Sequence, residues 1–564
     1  MSRRTGARSR VLRRLASVAL ALTLLPACAG LPTATDVQKA SDAADEGDLI
    51  TYQPAPPAPG AEPLEIVAGY LDAMLAYPVS SATASAYLSR GAAADWAAGD
   101  GVQIYRTPSL QVREVSAELT LVDLTVDQTG TLDRTGHFQE SAGPVTTTLE
   151  LVRDGGEWRI DNPPPGLAIS RGYFETYFQA FDVLQFDQAG DALVADPVHL
   201  QVGERLATSL TAALVAGAPA RVAAESRTYV PPASDWNPAV TVSDGRATVQ
   251  FDTSLTTLDV EVRRRLSAQV VRTLAQVPEV EVVRIVGSDG PLVAGGTADQ
   301  PVTAWARFDP PSATSQAAAV TDRGIVTLTG GATSTVAGLP EALVASAQLV
   351  AARPGATAVL DADGVVRVLV DSGERVVPAE QLVGLAWDAT DRLWIADRPG
   401  GQLRVRLVTD AAVLDVPVPD LAGVTSFALD PSGTRYAVTR EAGDVLAGVV
   451  DEVPTPALRA PTRVAPDVAS PAEVVWLRDT RIAVVGDGET GRQVYRASID
   501  GSPSDASAGT APRLPNVAIT AVATGAGQDP DLYVTDDRSR LWYLPSGGAW
   551  RLLGISARGL SSGR

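Results

Sequence analysis

A chain of 564 residues, 45% of them hydrophobic, is long enough for three or four domains with ordinary cores. Its formal net charge of −20 disfavours binding to nucleic acid or lying flat on anionic lipid, because both surfaces are also negatively charged. The single cysteine excludes a structural disulfide within a monomer, so the fold must depend on packing.

The N-terminus has the pattern of a secretory signal. Six arginines lie between Arg3 and Arg14, and an uncharged apolar run follows from Leu15 to Leu25. This run is too short to cross a bilayer, which takes about 20 apolar residues. We assign residues 1–27 to a signal peptide, whose removal changes the net charge to about −26.

Cys28, at the end of this run, is the candidate lipidation site. The sequence Leu25-Pro26-Ala27-Cys28 resembles the lipobox of bacterial lipoproteins, with Pro26 where that motif more often has a small residue. The resemblance implies a diacylglyceryl group on Cys28, fatty acids such as palmitate, and a place on the extracytoplasmic face of the cell membrane. A free thiol or an intermolecular disulfide is the alternative, but neither explains the position at the cleavage boundary.

We interpret residues 28–62 as a disordered tether. The segment is small, polar and acidic at first, and it becomes proline-rich from Pro54 to Pro59. It cannot bury enough apolar surface to offset the entropy of ordering. A flexible coil of this length reaches roughly 30 Å, so it holds an acidic body away from the lipid headgroups.

Residues 63–171 are predicted to form an α+β unit. It begins with a helix, and a second short helix is predicted from Ala82 to Trp96. Strand-like segments such as Leu110 to Val126 follow, with predicted turns at Asp127–Gly130 and Asp154–Gly156. A helix pair followed by an antiparallel sheet resembles the nuclear-transport-factor-like superfamily.

Residues 172–298 have the most specific order of elements. A helix ends at Gly217, a hairpin turns at Ser243–Gly245, and a longer helix precedes a valine-rich strand. Together with the run Ser267–Leu274, this order resembles the GerMN domain of sporulation and envelope proteins. We interpret Arg263–Arg265 on the longer helix as a solvated face, with a binding patch as the alternative.

Short strands repeat through residues 299–558. The best pair of repeats is Leu385–Ala396 and Phe427–Val438, offset by about 42 residues. Spacings of this size with strand-turn-strand content are typical of propeller blades, and the length holds about six of them. Residues 559–564 are predicted to be a frayed tail.

Three motif matches are interpreted as non-functional. Gly486–Gly491 fits the dinucleotide fingerprint, but a strand follows where a helix is needed. Gly559–Gly563 fits the nucleophile elbow, but no acid or histidine follows it. Asp361–Gly364 begins like a calcium loop, but Val365 and Val366 stand where oxygen ligands are needed.

The sequence predicts no catalytic, metal or cofactor site. His137 and His199 are the only histidines, and they lie in different predicted domains, so they do not make a His/Cys metal cluster. A Ser-His-Asp triad would have to use one of them at an ordinary strand or loop position. We therefore expect a protein that is not an enzyme, with paired carboxylates left open among the 66 acidic residues.

The whole order of lipobox, tether, α+β unit, GerMN-like unit and propeller resembles the LpqB family of actinobacterial envelope lipoproteins. The resemblance implies association with the extracellular domain of the MtrB sensor histidine kinase, whose partner regulator is MtrA. It also implies a role in envelope and cell-division signalling, and Cys28 is the one functional residue that carries over. The alternative function is a propeller that binds or hydrolyses a cell-wall-derived ligand.

Overall fold

The computed structural model describes residues 51–562, except residues 79, 218–225, 232–238, 310–315, 372, 452–454, 460, 490, 509–510, 515 and 526–529. Three units follow one another along this part of the chain. We call them the first domain (residues 51–177), the second domain (residues 178–309) and the propeller (residues 316–562). The multidomain α+β and propeller architecture expected from the sequence is confirmed.

The first domain is a five-stranded sheet covered by short helices. Its elements are α1 (Pro63–Ala73), α2 (Ala82–Ser85), α3 (Arg90–Asp95), β1 (Val102–Glu114), β2 (Leu119–Leu132), β3 (Phe138–Asp154), β4 (Glu157–Ile160), β5 (Leu167–Ser170) and α4 (Arg171–Tyr177). The strand order is β4-β3-β2-β1-β5, in which β5 is parallel to β1 and the other neighbours are antiparallel. The core lies between α1 and this sheet, where Ile66, Val67 and Leu71 are buried.

Several sequence predictions for the first domain need correction. The prediction of a turn at Asp127–Gly130 is wrong, because these residues lie inside β2, which has a bulge there. Glycine is required there because a Cβ on Gly130 would lie 2.4 Å from the Phe138 ring. The predicted helix from Ala82 to Trp96 is instead the separate helices α2 and α3. The turn at Asp154–Gly156 is confirmed, since Asp154 pairs with Glu157.

The prediction that the tether extends to residue 62 is also wrong for residues 51–62. The backbone of Tyr52 pairs with that of Tyr77, and its hydroxyl donates to the Asp72 carboxylate at 2.8 Å. Pro54 is buried, and the carbonyl of Ala55 accepts from a tyrosine hydroxyl of the domain. Prolines restrict the unfolded backbone, so this segment loses little entropy when it docks.

The second domain contains two small sheets around two helices. Its elements are β6 (Phe178–Asp187), β7 (Leu193–Gln201), α5 (Leu206–Ala216), β8 (Ser226–Arg227), β9 (Val240–Ser243), β10 (Arg246–Gln250), α6 (Val260–Leu274), β11 (Val282–Gly287), β12 (Gly290–Pro291), β13 (Asp299–Pro301) and a 3-10 helix (Ala306–Phe308). The sheets are β7-β6-β8 and β12-β11-β10-β9, with β13 beside β11. β10 and β11 are parallel and α6 connects them.

The helix end and the hairpin turn predicted for the second domain are confirmed. Helix α5 ends at Gly217, whose φ is +84°, and the hairpin turn uses Asp244 and Gly245, both with positive φ. The predicted end at residue 298 is too early, because β13 pairs with β11. Arg272 on α6 also binds the Asp309 carboxylate at 2.6 Å, which keeps the following segment in the domain.

The propeller is built almost entirely from short strands. Its elements are β14 (Ala317–Thr321), β15 (Gly324–Thr329), β16 (Ala332–Thr335), α7 (Glu341–Ser346), β17 (Ala347–Arg353), β18 (Ala356–Asp361), β19 (Val365–Val370), β20 (Gly373–Pro378), β21 (Gly384–Trp387), β22 (Leu393–Asp397), a 3-10 helix (Pro399–Gly401), β23 (Arg404–Val408), β24 (Val413–Val416), β25 (Val424–Leu429), β26 (Arg435–Arg440), β27 (Val445–Asp451), β28 (Ala457–Leu458), β29 (Thr462–Val464), β30 (Ala469–Arg478), β31 (Arg481–Gly488), β32 (Gly491–Ser498), α8 (Asp505–Ala508), β33 (Ile519–Thr524), β34 (Leu532–Asp536), β35 (Arg540–Leu544) and β36 (Arg551–Ser561).

These strands form six blades around a channel. The innermost strands β17, β21, β25, β30 and β33 contact one another in sequence, and β36 completes the ring between β33 and β17. The first half of β36 pairs with β35, and its second half, from Ala557 to Ser561, pairs with β14. One strand therefore belongs to both the last and the first blade.

The repeat seen in the sequence corresponds to whole blades. Leu385 and Phe427 lie on β21 and β25, the inner strands of adjacent blades, and aspartates follow both strands. Asp388 accepts the N–H groups of the turn after it, as Asp430 does in the next blade. The 42-residue spacing therefore reflects an aspartate-stabilised turn at the same place in these two blades.

Two of the dismissed motifs in the propeller are confirmed as turns. Asp361 accepts the N–H groups of Asp363 and Val365 and binds Arg367 at 2.8 Å, so its oxygens are already engaged. The Gly486–Gly491 segment is a hairpin between β31 and β32. The prediction of a frayed tail is wrong for residues 559–561. They lie in β36, where Leu560 is buried.

Candidate functional site

All three units meet at β7, which we call the junction strand. It is an edge strand of the sheet β7-β6-β8, so only one of its sides is occupied by β6. The other side is free to pair with neighbouring domains. Four of its residues bond outside the second domain: Ala195, Asp196, His199 and Gln201.

His137 connects the first domain to the junction strand. Its Nε2 atom lies 2.8 Å from the Asp196 carboxylate, and both side chains are almost completely buried. Its Nδ1 atom faces Asp133 of its own domain at 3.4 Å and the Thr135 hydroxyl at 2.6 Å. Burial alone would lower the pKa of His137, but the two carboxylates outweigh it and raise the pKa to about 9. At neutral pH the imidazole is thus a cation shared by two domains.

His199 connects the junction strand to the propeller. Its Nε2 atom lies 2.8 Å from the Asp500 carboxylate, which has no exposed surface. Burial opposes ionisation of Asp500, but the imidazole of His199 holds the pKa of that carboxyl below its usual range. The backbone N–H of His199 donates to Gly136 of the first domain at 2.7 Å. One residue therefore contacts all three units.

Aromatic rings pack around this second histidine. Phe174 and Phe138 of the first domain lie 5.2 Å and 6.0 Å from the His199 ring, measured between centroids. Gln201, at the end of the junction strand, donates to the Tyr173 hydroxyl at 3.0 Å. The contact between the first and second domains therefore combines apolar packing with satisfied polar groups.

Three side chains of the propeller add polar contacts to the second domain. Arg435, which is buried, donates to the carbonyl of Ala195 at 2.6 Å. The Thr480 hydroxyl donates to the Asp182 carboxylate at 2.8 Å, and Arg481 donates to a β6 carbonyl at 3.2 Å. All three lie at the start of the second strand of a blade or in the turn before it, so one face of the propeller carries the interface.

Two buried carboxyl groups lie beneath this face. Burial, together with the nearby Asp430 carboxylate, raises the pKa of Asp479 to about 7. Burial also raises the pKa of Asp430, although Arg435 beside it acts in the opposite direction. These acids therefore carry less negative charge at neutral pH than exposed acids would.

The propeller channel contains one further titratable group. A cavity of about 120 Å³ lies between the inner strands, and Glu473 is the one charged side chain among the described residues that line it. Its carboxylate accepts the N–H of Val522 at 3.0 Å, and burial raises its pKa to about 8. Glycoside hydrolysis generally uses two carboxyl groups, and this lining supplies one.

Cys28 and the three arginines Arg263–Arg265 are the other residues that the sequence analysis selects as candidates. Cys28 lies outside the described residues. Of the three arginines on α6, Arg264 binds Glu261 at 2.5 Å, and Arg265 donates to the Gly190 carbonyl at 2.7 Å. Arg265 therefore makes contacts within the second domain, which differs from the solvated face expected for it.

The two histidines are the site that sequence reasoning missed. The sequence assigns them to ordinary strand or loop positions in different domains, and the structure brings both to the junction strand. No local pattern predicts this, because the partners across the junction, Asp196 for His137 and Asp500 for His199, are distant in sequence. One available signal is that a histidine inside an apolar strand such as β7 must find a buried partner.

Within the described parts of residues 51–562, no group of three or more His, Cys, Asp or Glu residues is arranged to hold a metal ion. In the same part of the chain, no helix has the length and apolar character needed to cross a membrane.

The fold defines a class of protein in which two α+β domains precede a six-bladed propeller. Three family descriptions match successive parts of the chain: "Lipoprotein LpqB, N-terminal domain" at residues 56–175, "Sporulation and spore germination" at 177–292, and "Lipoprotein LpqB beta-propeller domain" at 324–554. The chain belongs to the LpqB lipoprotein family. Its relatives carry the name of a lipoprotein and not of an enzyme, and membership implies a lipid-anchored protein associated with a membrane.

Relatives match over nearly the whole chain. Lipoprotein LpqB of Thermobifida fusca is 25% identical over 89% of this chain and 92% of its own length. The Streptomyces coelicolor protein of the same name is 25% identical over 97% of both chains. Among solved structures, a puromycin-hydrolyzing peptidase from Mycobacterium tuberculosis matches 43% of this chain and 44% of its own, with 14% identity and a TM-score of 0.29, which is too low to bear on activity.

Proposed function

We propose that this protein is a non-enzymatic accessory of a two-component system. Lipidated Cys28 anchors it to the outer face of the cytoplasmic membrane, and its folded body binds the extracellular domain of a sensor histidine kinase resembling MtrB. Through that contact it modulates envelope and cell-division signalling. The lipobox pattern, the acidic segment after it and membership of the LpqB family support this proposal.

The junction strand is the observation that carries the proposal. Buried contacts from β7 reach both other units, through His137 on one side and Asp500 on the other. Domains joined in this way present a fixed surface to a partner, whereas separately mobile domains lose entropy when they bind. Lipid anchoring in the same membrane raises the effective concentration near the kinase, so a modest interface suffices.

A second candidate function uses the propeller channel. Glu473 is a carboxyl group in mostly apolar surroundings with a pKa of about 8, so a small ligand that carries a positive charge would bind it together with loss of the carboxyl proton. The cavity favours binding over hydrolysis, because its lining supplies one carboxyl group where glycoside hydrolysis generally uses two. A wall-derived amine is the ligand class that this site suggests.

Photo-crosslinking in intact cells tests the kinase proposal. A photoreactive amino acid is placed singly at Val115, Val293 and Val376, exposed side chains on the first domain, the second domain and the propeller. We expect the kinase to be captured from at least one position. Ile325, which is buried, is the matched control and should capture nothing from outside the chain. If none of the exposed positions captures the kinase, the accessory role is wrong.

A further inference from the structure

A cleft of about 680 Å³ lies between the second domain and the propeller. On the propeller side it is bounded by the turn between β30 and β31, by the end of β32 and by α8. Ala180 and His199 of the second domain line the opposite side. A volume of this size is usual for small-molecule sites, which commonly lie at domain interfaces.

Positive charge is concentrated in this cleft. Arg478, Arg481 and Arg496 line it, and Asp505 is the one carboxylate among the described lining residues. Arg496 binds that carboxylate at 2.9 Å, and Arg481 donates to the carbonyl of Ala180 at 3.2 Å. An excess of arginine is unexpected in a chain with a net charge of −20. Guanidinium groups fit carboxylate and phosphate oxygens particularly well.

Ser498 adds an unsatisfied polar group to the same cleft. Its side chain is 8% exposed, and its Oγ atom has no hydrogen-bond partner among the described residues. Buried hydroxyl groups are nearly always hydrogen-bonded, because leaving one unpaired destabilises the fold. A ligand oxygen in the cleft would provide the missing partner for this hydroxyl.

One part of the cleft wall is apolar and rigid. Four prolines line it, together with a few leucines: Pro503, Pro512, Pro530 and Pro545. Proline has few conformations to lose when a ligand binds, and its ring offers a flat apolar surface. The cleft therefore combines an apolar wall with a group of cationic and hydroxyl donors.

We propose that this cleft binds a small organic oxyanion, a sugar-sized molecule that carries a carboxylate or a phosphate ester. Arg478 and Arg481 neutralise the anion, the Ser498 hydroxyl donates to one of its oxygens, and the prolines pack against its apolar face. Because the cleft is bounded by two units, the bound molecule contacts both and stabilises their contact. The site is independent of the kinase interaction.

The first test uses isothermal titration calorimetry on the full lipidated chain in detergent. Glucose 6-phosphate, glucuronate and glucose serve as probes, since they share a ring and differ in charge. We expect at least one of the two acids to bind with a Kd of about 1 mM or lower, and glucose to bind at least tenfold more weakly. The acid with the lower Kd identifies the oxyanion. If neither acid binds, or if glucose binds equally well, the proposal is wrong.

Variants locate the binding. Arg481→Gln should weaken binding of the preferred acid at least tenfold, and Ser498→Ala should weaken it severalfold without breaking any hydrogen bond of the free protein. Arg492→Gln is the matched control, because it removes the same charge from the neighbouring strand of the same blade, outside the cleft. Thermal unfolding shows whether each variant is folded. If Arg481→Gln is unfolded, the affinity of Ser498→Ala for the preferred acid is the deciding measurement. Equal weakening by Arg492→Gln, or no loss in Ser498→Ala when it decides alone, would overturn the proposal.

Discussion

At the scale of single residues, His137 makes stability depend on pH in the alkaline range. Its pKa is about 9 in the folded protein, whereas an unfolded histidine has a pKa of about 6.5. The folded state therefore binds this proton more tightly. The resulting stabilisation is fully present below about pH 6.5 and is lost as the pH rises through 9. A shift of this size corresponds to at most about 3 kcal/mol.

Chemical denaturation at pH 6.5 and pH 9.5 measures this dependence. We expect the wild-type free energy of unfolding to fall over this range, and to fall by about 2 kcal/mol less in His137→Gln. Some loss remains in the variant, because Glu473 and Asp479, whose pKa values are raised to about 8 and about 7, also release protons over this range. Glu140→Gln is the control, because it lies three residues further along the chain, near the start of β3, and leaves His137 in place. An equal pH dependence in His137→Gln would show that another group is responsible.

Cys28 is the residue on which the proposed membrane attachment depends. Because it is the only cysteine, Cys28→Ala removes every thiol and should abolish labelling by a fatty-acid probe completely. We expect the variant to move from the membrane fraction to the medium or the soluble fraction. Metabolic labelling followed by fractionation measures both effects. Labelling that persists in the variant would contradict lipidation at this position.

At the scale of elements, β36 is the strand whose loss should matter most. Truncation after Ser556 removes the half of β36 that pairs with β14, including the buried residues Ala557 and Leu560. We expect the free energy of unfolding of the propeller to fall by on the order of 5 kcal/mol, and the truncated protein to become sensitive to proteases. Truncation after Ser562 is the control and should leave the melting temperature unchanged. Equal melting temperatures for both truncations would show that β36 is not needed for closure.

The helices, strands and turns also show which features a local sequence pattern can predict. The blade repeat and the turns at Gly217 and Gly245 were predictable, because alternation, glycine and turn aspartates act over a few residues. The turn predicted at Gly130 was wrong, since a glycine in a bulge and a glycine in a turn give the same local signal. The frayed tail predicted at the end of the chain was wrong for another reason. The partner of Leu560 is Ala319, and no local pattern encodes so distant a pairing.

The same limit applies to the junction. The sequence predicts the first and second domains as units with their own cores, and each histidine is unremarkable within its own unit. Only the packed structure places Asp196 beside His137 and Asp500 beside His199. Contacts between domains join residues whose separation in sequence is arbitrary, so a single sequence carries no periodic signal for them.

At the scale of the whole molecule, the length of the tether should determine signalling. Deletion of residues 36–50 brings the folded body closer to the membrane without removing Tyr52 or Pro54, which contact the first domain. We expect kinase-dependent reporter activity to change by severalfold, while the melting temperature of the purified protein stays the same. Deletion of residues 51–59 is the matched comparison and should lower the melting temperature, because it removes those contacts.

A soluble exported form completes this experiment. At matched abundance, protein that begins at Ala29 should have a weaker effect on the reporter than the lipidated form, because it is not confined near the kinase. If the soluble form and the shortened form both restore signalling fully, confinement at the membrane is not what makes the interaction effective.

The shared strand β36 has a consequence for biogenesis. On the proposed export route the chain emerges from its N-terminus, so β14 reaches the outside long before the strand that completes its blade. The Ser561 hydroxyl, for example, bonds to Val350, which lies 211 residues earlier. Pairings at such separations form slowly, and open edges invite aggregation in the meantime. On that route the propeller closes only after translocation is complete, and we expect a premature stop near the C-terminus to leave an open ring that is degraded.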